Sequence, residues 1–133
     1  MATTGKGSKI KFTLNVDEAS MGDKTLKDCD FKVDFYATTI NSQGKPTTPT
    51  SIFTASKTGD DLVNCVKDSE DDNTYYCLCD TSSLDTGKLA ATFTVEYTDV
   101  QLEQKLKEVM TLTTDITIGN VPVSIDPEPS NED

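Results

Sequence analysis

Four cysteines, Cys29, Cys65, Cys77 and Cys79, carry the most versatile chemistry in this chain. On a strand, the C-x-C pair Cys77 and Cys79 shares a face at roughly 7 Å, twice the strand rise, which is too far for the two to bridge each other. Three readings remain: buried thiols packing as small hydrophobes, one disulfide with Cys65–Cys77 as the favoured pair, or zinc held by Cys77 and Cys79 with Cys65 or Cys29. C-x-C is not the usual knuckle spacing, and the chain has no His to complete a zinc set. Buried thiols, with no metal and no cofactor, are therefore the expectation.

The second cluster is acidic. Asp68, Glu70 and Asp72 take alternate positions, like the first ligands of a calcium loop. The rest of that pattern fails: Asn73 stands where a Gly is needed, and Cys79 stands where the bidentate Glu belongs. Read plainly, this is a solvated loop whose acids also discourage edge-to-edge pairing. Lys57, Asp60 and Asp61 are also close in sequence, but a turn looks the same, and so small a set is a weak sign of catalysis.

What is missing matters as much. All 12 basic residues are Lys, and there is no His. Without Arg there is no planar fork for carboxylate or phosphate. Without His the commonest general base is gone. No catalytic motif is present, so the chain is expected not to be an enzyme. The formal charge of −11 argues against nucleic acid and against an anionic membrane surface. No apolar run approaches the roughly 20 residues that span a bilayer. Residues 1–8 lack the apolar stretch of a secretory signal, which predicts a protein made and kept in the cytoplasm with reduced thiols.

The elements that must position these groups are strands. Residues 29–37 alternate: Cys29, Phe31, Val33, Phe35 and Ala37 on one face, Asp30, Lys32, Asp34 and Tyr36 on the other. Residues 89–97 repeat the pattern with Leu89, Ala91, Phe93, Val95 and Tyr97. Residues 9–16 do so with Ile10, Phe12, Leu14 and Val16. Shorter strands are expected at 51–57, 62–67 and 74–80. The acidic run forms the hairpin tip between the last two. A helical turn capped by Ser82 or Ser83 fits 81–87. Residues 98–103 form a connection. A final strand covers 105–118 with a bulge at Thr114 and Asp115, and the chain can turn at Gly119 and Asn120 into 121–123. Gly44, Pro46 and Pro49 make 39–50 a surface connection.

The pattern predicts an all-β fold, an antiparallel immunoglobulin-like β-sandwich of about seven strands. Phe12, Phe31, Phe35, Leu89, Phe93 and Val95 are its expected core. Residues 1–8 are expected to be a flexible N-terminal segment, 9–125 the β-sandwich domain, and 126–133 a flexible acidic tail.

The order of segments carries a resemblance. The chain opens Gly5-Lys6-Gly7-Ser8-Lys9-Ile10-Lys11-Phe12 and continues through 22–36, 53–57 and 87–95 to the closing frame 107–118. Over residues 8–118 it resembles small virion proteins of phages and prophages of gut Bacteroidales, including crAss-like phages. The resemblance implies a structural protein of the bacteriophage virion, a head-fibre, capsid-decoration or attachment module assembled in the bacterial host cytoplasm. Its partners are then other virion proteins and further copies of itself. The matched residues are hydrophobic strand frames, so no site residue is carried over. The alternative class is an adhesin-like or fimbrial β-sandwich domain of a bacterial surface protein. On either reading the function is association, with the termini and an exposed strand as the expected contact surface.

Overall fold

The computed structural model describes residues 2–16, 24–39, 42–47, 49 and 51–119. Among them are nine strands: β1 (Ala2–Gly5), β2 (Lys9–Asn15), β3 (Asp30–Thr38), β4 (Phe53–Thr58), β5 (Asp61–Val63), β6 (Cys65–Lys67), β7 (Thr74–Asp80), β8 (Gly87–Asp99) and β9 (Gln104–Gly119). They form two sheets, ordered β1-β9-β8-β3-β4-β5 and β2-β7-β6. The fold is all-β. Every pairing is antiparallel except β1 with β9, which is parallel. Among the described residues no helix is long and apolar enough to cross a membrane.

The alternation in β3 becomes burial: Phe31, Val33, Phe35 and Ala37 are all at most 4% exposed. β8 lies beside β3, with Phe93 opposite Val33 and Val95 opposite Phe31. The smaller sheet lies over this face. Phe12 of β2 stacks on Phe35 with ring centroids 5.2 Å apart, and Tyr75 of β7 meets Phe31 edge-on at 5.0 Å. Burying a large apolar side chain contributes about 1.5–3 kcal/mol, so these facing rings are the main bond between the sheets. Of the expected core, Phe31, Phe35, Leu89, Phe93 and Val95 are buried, and Phe12 is half-buried against them.

Both edges of the larger sheet run directly into the smaller one. At one edge, β5 and β6 are separated by Asn64 alone. The expected strand over 62–67 is therefore two strands in different sheets. Asn64 makes the corner with φ 58°, a left-handed conformation that Asn tolerates better than most residues. Its carbonyl accepts from Leu78 N at 2.8 Å, and its side chain donates to Thr54 O at 3.0 Å. At the other edge, Gly7 (φ 102°) turns β1 into β2. Thr81, fully buried, secures that corner: its hydroxyl accepts from Gly7 N at 3.0 Å and donates to Ser8 O at 2.8 Å.

Two other expectations change. Residues 2–5, read as part of a flexible segment, pair with β9 from Ile116 to Gly119; the pairing uses backbone groups, which leave no hydrophobic pattern to read. The 3-10 turn Thr81–Ser83 is capped by Asp80, whose carboxylate accepts from Ser82 N, and not by Ser82 or Ser83. An ionised carboxylate is the stronger acceptor at such a turn. The bulge in β9 lies where the sequence places it. The register with β8 shifts between Lys88 and Ala90, and Thr114 Oγ1 donates to the freed Leu89 carbonyl at 2.7 Å. The expected turn into 121–123 and the acidic tail 126–133 lie outside the described residues.

Candidate functional site

The four cysteines are buried thiols. Cys77 and Cys79 share the inner face of β7, and Cys65 lies directly opposite Cys77 across the β6–β7 pair. The Cys65 thiol is turned to the Ser56 carbonyl of β4 at 3.3 Å. Cys29 donates to the Thr25 carbonyl at 3.2 Å. Burial pushes Cys77 and Cys79 up to about 12 and raises Cys29 and Cys65 as well. The thiolate is the form that attacks electrophiles and binds metals, so these positions suit packing. Among the described residues no group of three or more Cys, Asp or Glu is arranged to hold a metal ion.

The acidic run folds onto itself. Asp68 Oδ1 accepts from Glu70 N and Asp71 N, and its Oδ2 accepts from the Tyr76 hydroxyl. Asp71 accepts from Asn73 N and from the Thr74 hydroxyl. Asp72 pairs with Lys67 at 2.9 Å. Asn73, buried, accepts from Leu26 N at 2.9 Å and so ties the tip to the turn before β3. The Tyr76 bond holds the Asp68 carboxyl below its ordinary range, and the Lys67 bond does the same for Asp72. These oxygens brace a loop. They do not converge on a common point as calcium ligands must.

The third cluster is pulled apart. Lys57 sits on the inner face opposite Phe31, 5% exposed, with Nζ donating to the Cys29 carbonyl at 2.6 Å. Asp60 on the turn and Asp61 at the start of β5 are both exposed. The cation faces the core and the acids face water, so the three do not form one set.

Sequence reasoning missed the flank of β9. Among the described residues, β9 has a strand on both sides only at 116–119, where β1 pairs; along 104–115 only β8 lies beside it. That open edge is about 33 Å long from Gln104 to Thr113 at the rise of a strand, with the bulge beyond it. Leu106, Glu108, Met110 and Leu112 continue the inner face of the sheet, opposite Tyr97, Val95, Phe93 and Ala91. Yet Met110 is 41% and Leu112 37% exposed, and Val109 on the outer face is 57% exposed. Glu108 is occupied by the Tyr97 hydroxyl at 2.8 Å. At the β8–β9 turn, Val100 and Leu102 are also exposed. Asp99 shapes this turn by accepting from Gln101 N and Leu102 N. One signal for this flank was present in the sequence: Val109 to Thr114 is six residues of strand-prone type with no charge and no Pro.

Compared with known proteins, the chain matches no family model, no curated protein and no solved structure.

Proposed function

We propose that this chain is a non-enzymatic structural module of a phage virion, acting by protein–protein association as a head-fibre, capsid-decoration or attachment element. The association role is carried by one observation: the open flank of β9 with Val109, Met110 and Leu112 exposed along it. An unpaired strand offers a row of backbone donors and acceptors that another chain can take up. The virion setting is supported by the resemblance of residues 8–118 to small Bacteroidales phage proteins. Its partners on this reading are other virion subunits and further copies of itself. A charge of −11 disfavours adhesion of such a protein to the genome.

We read the finer fold as an immunoglobulin-like sandwich of the nine-stranded, variable type. β9-β8-β3-β4-β5 then correspond to the G, F, C, C′ and C″ strands, and β2-β7-β6 to B, E and D. β1 takes the place of a short A strand beside G. On this assignment the turn at 100–103 and the turn at Gly59, held by Asp30, lie at the loop end of the sandwich.

The test is protein mass spectrometry and antibody labelling of washed particles from the source. The expected result is the chain at fixed stoichiometry to the major shell or fibre protein. Its absence from particles, while abundant in the lysate, overturns the virion setting.

A further inference from the structure

We propose that Cys65 and Cys77 form a latent redox site that closes to a cross-strand disulfide when the chain meets an oxidising small-molecule disulfide. The site follows from the β6–β7 register and is independent of the association role proposed above. Cys65 and Cys77 are direct partners across an antiparallel pair. Such partners alternate between hydrogen-bonded pairs and closer, non-hydrogen-bonded ones. Two backbone bonds fix which kind this is. Leu78 N donates to the Asn64 carbonyl, and Asp68 N donates to the Thr74 carbonyl. The hydrogen-bonded partners are therefore Asn64 with Leu78, Val66 with Tyr76 and Asp68 with Thr74. Cys65 and Cys77 fall between them, at a non-hydrogen-bonded position. Cα atoms there are about 4.5 Å apart, within the span a disulfide takes.

Both residues are thiols in this structure. The Cys65 thiol is turned aside to the Ser56 carbonyl at 3.3 Å, a weak bond. A change of χ1 rotamer redirects it toward Cys77. β6 is a three-residue edge strand with β7 as its only neighbour in the sheet among the described residues, so it is free to shift inward. No other pair of the four qualifies: Cys79 faces Ile10, and Cys29 lies before β3. Cys65 is 9% exposed against 2% for Cys77, which makes it the point of entry. Its thiolate attacks one sulfur of the small disulfide, and one small thiol leaves. The Cys77 thiolate then attacks the Cys65 sulfur, and the second small thiol leaves. The two cysteine protons end on the two released thiols. Burial favours the protonated form of both cysteines, so closure is slow in the folded chain. The closed bond encloses the acidic tip in its loop and fixes β6 to β7 beside the corner at Asn64.

The experiment incubates the folded full chain with hydroxyethyl disulfide and mercaptoethanol at stepped ratios. The chain is then unfolded, its free thiols are alkylated, and its peptides are mapped by mass spectrometry. The expected result is one link, Cys65–Cys77, with Cys29 and Cys79 alkylated. The melting midpoint of the linked chain should rise by about 5–10 °C, as closing a loop of this length implies. Cys65→Ser should lose both the link and the rise, and Cys79→Ala should keep them. Four free thiols at the most oxidising ratio overturn the proposal. A link between any other pair does so too. A Cys65–Cys77 link that forms only in denaturant, or that lowers the midpoint, also overturns it, since the folded register then does not accept the bond.

Discussion

Phe31, Val33, Phe35 and Ala37 of β3 and Leu106, Met110 and Leu112 of β9 lie on the same face of one sheet, separated only by β8. The first set is buried and the second is largely not. β3 alternates apolar with polar residues throughout, β9 does so except at Glu108 and Val109, and both pair well with β8. The difference comes from the layer opposite. β2 and β7 supply Phe12 and Tyr75 over β3. β9 meets the core only at its far end, where Ile118 is 1% exposed. Alternation specifies which side of a strand faces inward; the second layer decides whether that side is dry.

The largest expected effect tests the covered side. Phe35→Ala removes a ring that packs on Phe12 and lies between Phe53 and Ala91 on the neighbouring strands. The cost should be about 3–5 kcal/mol in chemical denaturation. A variant as stable as the parent chain would place the core elsewhere.

Gly87→Ala tests the β3–β8 junction. Gly87 has φ 142°, and an added Cβ would lie 2.2 Å from the Thr38 carbonyl oxygen. Neither the backbone angle nor the space admits a side chain, so a loss of about 2–3 kcal/mol is expected in the same assay. Little or no loss would mean that the ends of β3 and β8 separate easily, which would weaken the contrast with the loose flank of β9.

The legible parts of the molecule were those written in side chains. Phe31 to Ala37 and Leu89 to Val95 announce a half-buried strand by type and spacing, and the bulge at Thr114 follows the break in apolar rhythm. The illegible parts were written in the backbone. β1 has a short, polar sequence and is held by a parallel ladder to Ile116–Gly119. The corner at Asn64 interrupts an apolar alternation, Leu62 to Val66, that reads as one strand. The site shows the same division. The thiols could be placed as core from their type, whereas the open flank of β9 depends on how short β1 is.

Alkali should act on the covered side through its thiols, and also through Tyr76 and Tyr97, which Asp68 and Glu108 hold above their ordinary range. Burial raises all four thiols above their ordinary 9.0, Cys77 and Cys79 to about 12. Below pH 9 they are protonated in both states and stability is unaffected. Above it the unfolded chain releases these protons first, so stability falls as pH rises from 9 toward 12. Each fully shifted thiol contributes a loss on the order of 1 kcal/mol per pH unit. Melts across that range check this, and Cys79→Ala should flatten the slope. Acid works through the tip instead. Asp68 and Asp72 are held below 3.8 by Tyr76 and Lys67, so their contribution is present above that value and fades as pH falls through their folded range.

The smallest effect on folding is expected on β9, and it sharpens the comparison most. Met110→Thr keeps a strand-prone residue opposite Phe93 and removes an apolar chain that is already 41% exposed. Its stability should change by less than about 1 kcal/mol, as surface positions do. The same change removes apolar surface from the open flank that carries the proposed association, so incorporation into particles should weaken although the fold does not. Denaturation of the isolated chain and its recovery in washed particles separate the two quantities. If Met110→Thr instead destabilises the monomer as Phe35→Ala does, this flank belongs to the core, and the contrast between β3 and β9 fails.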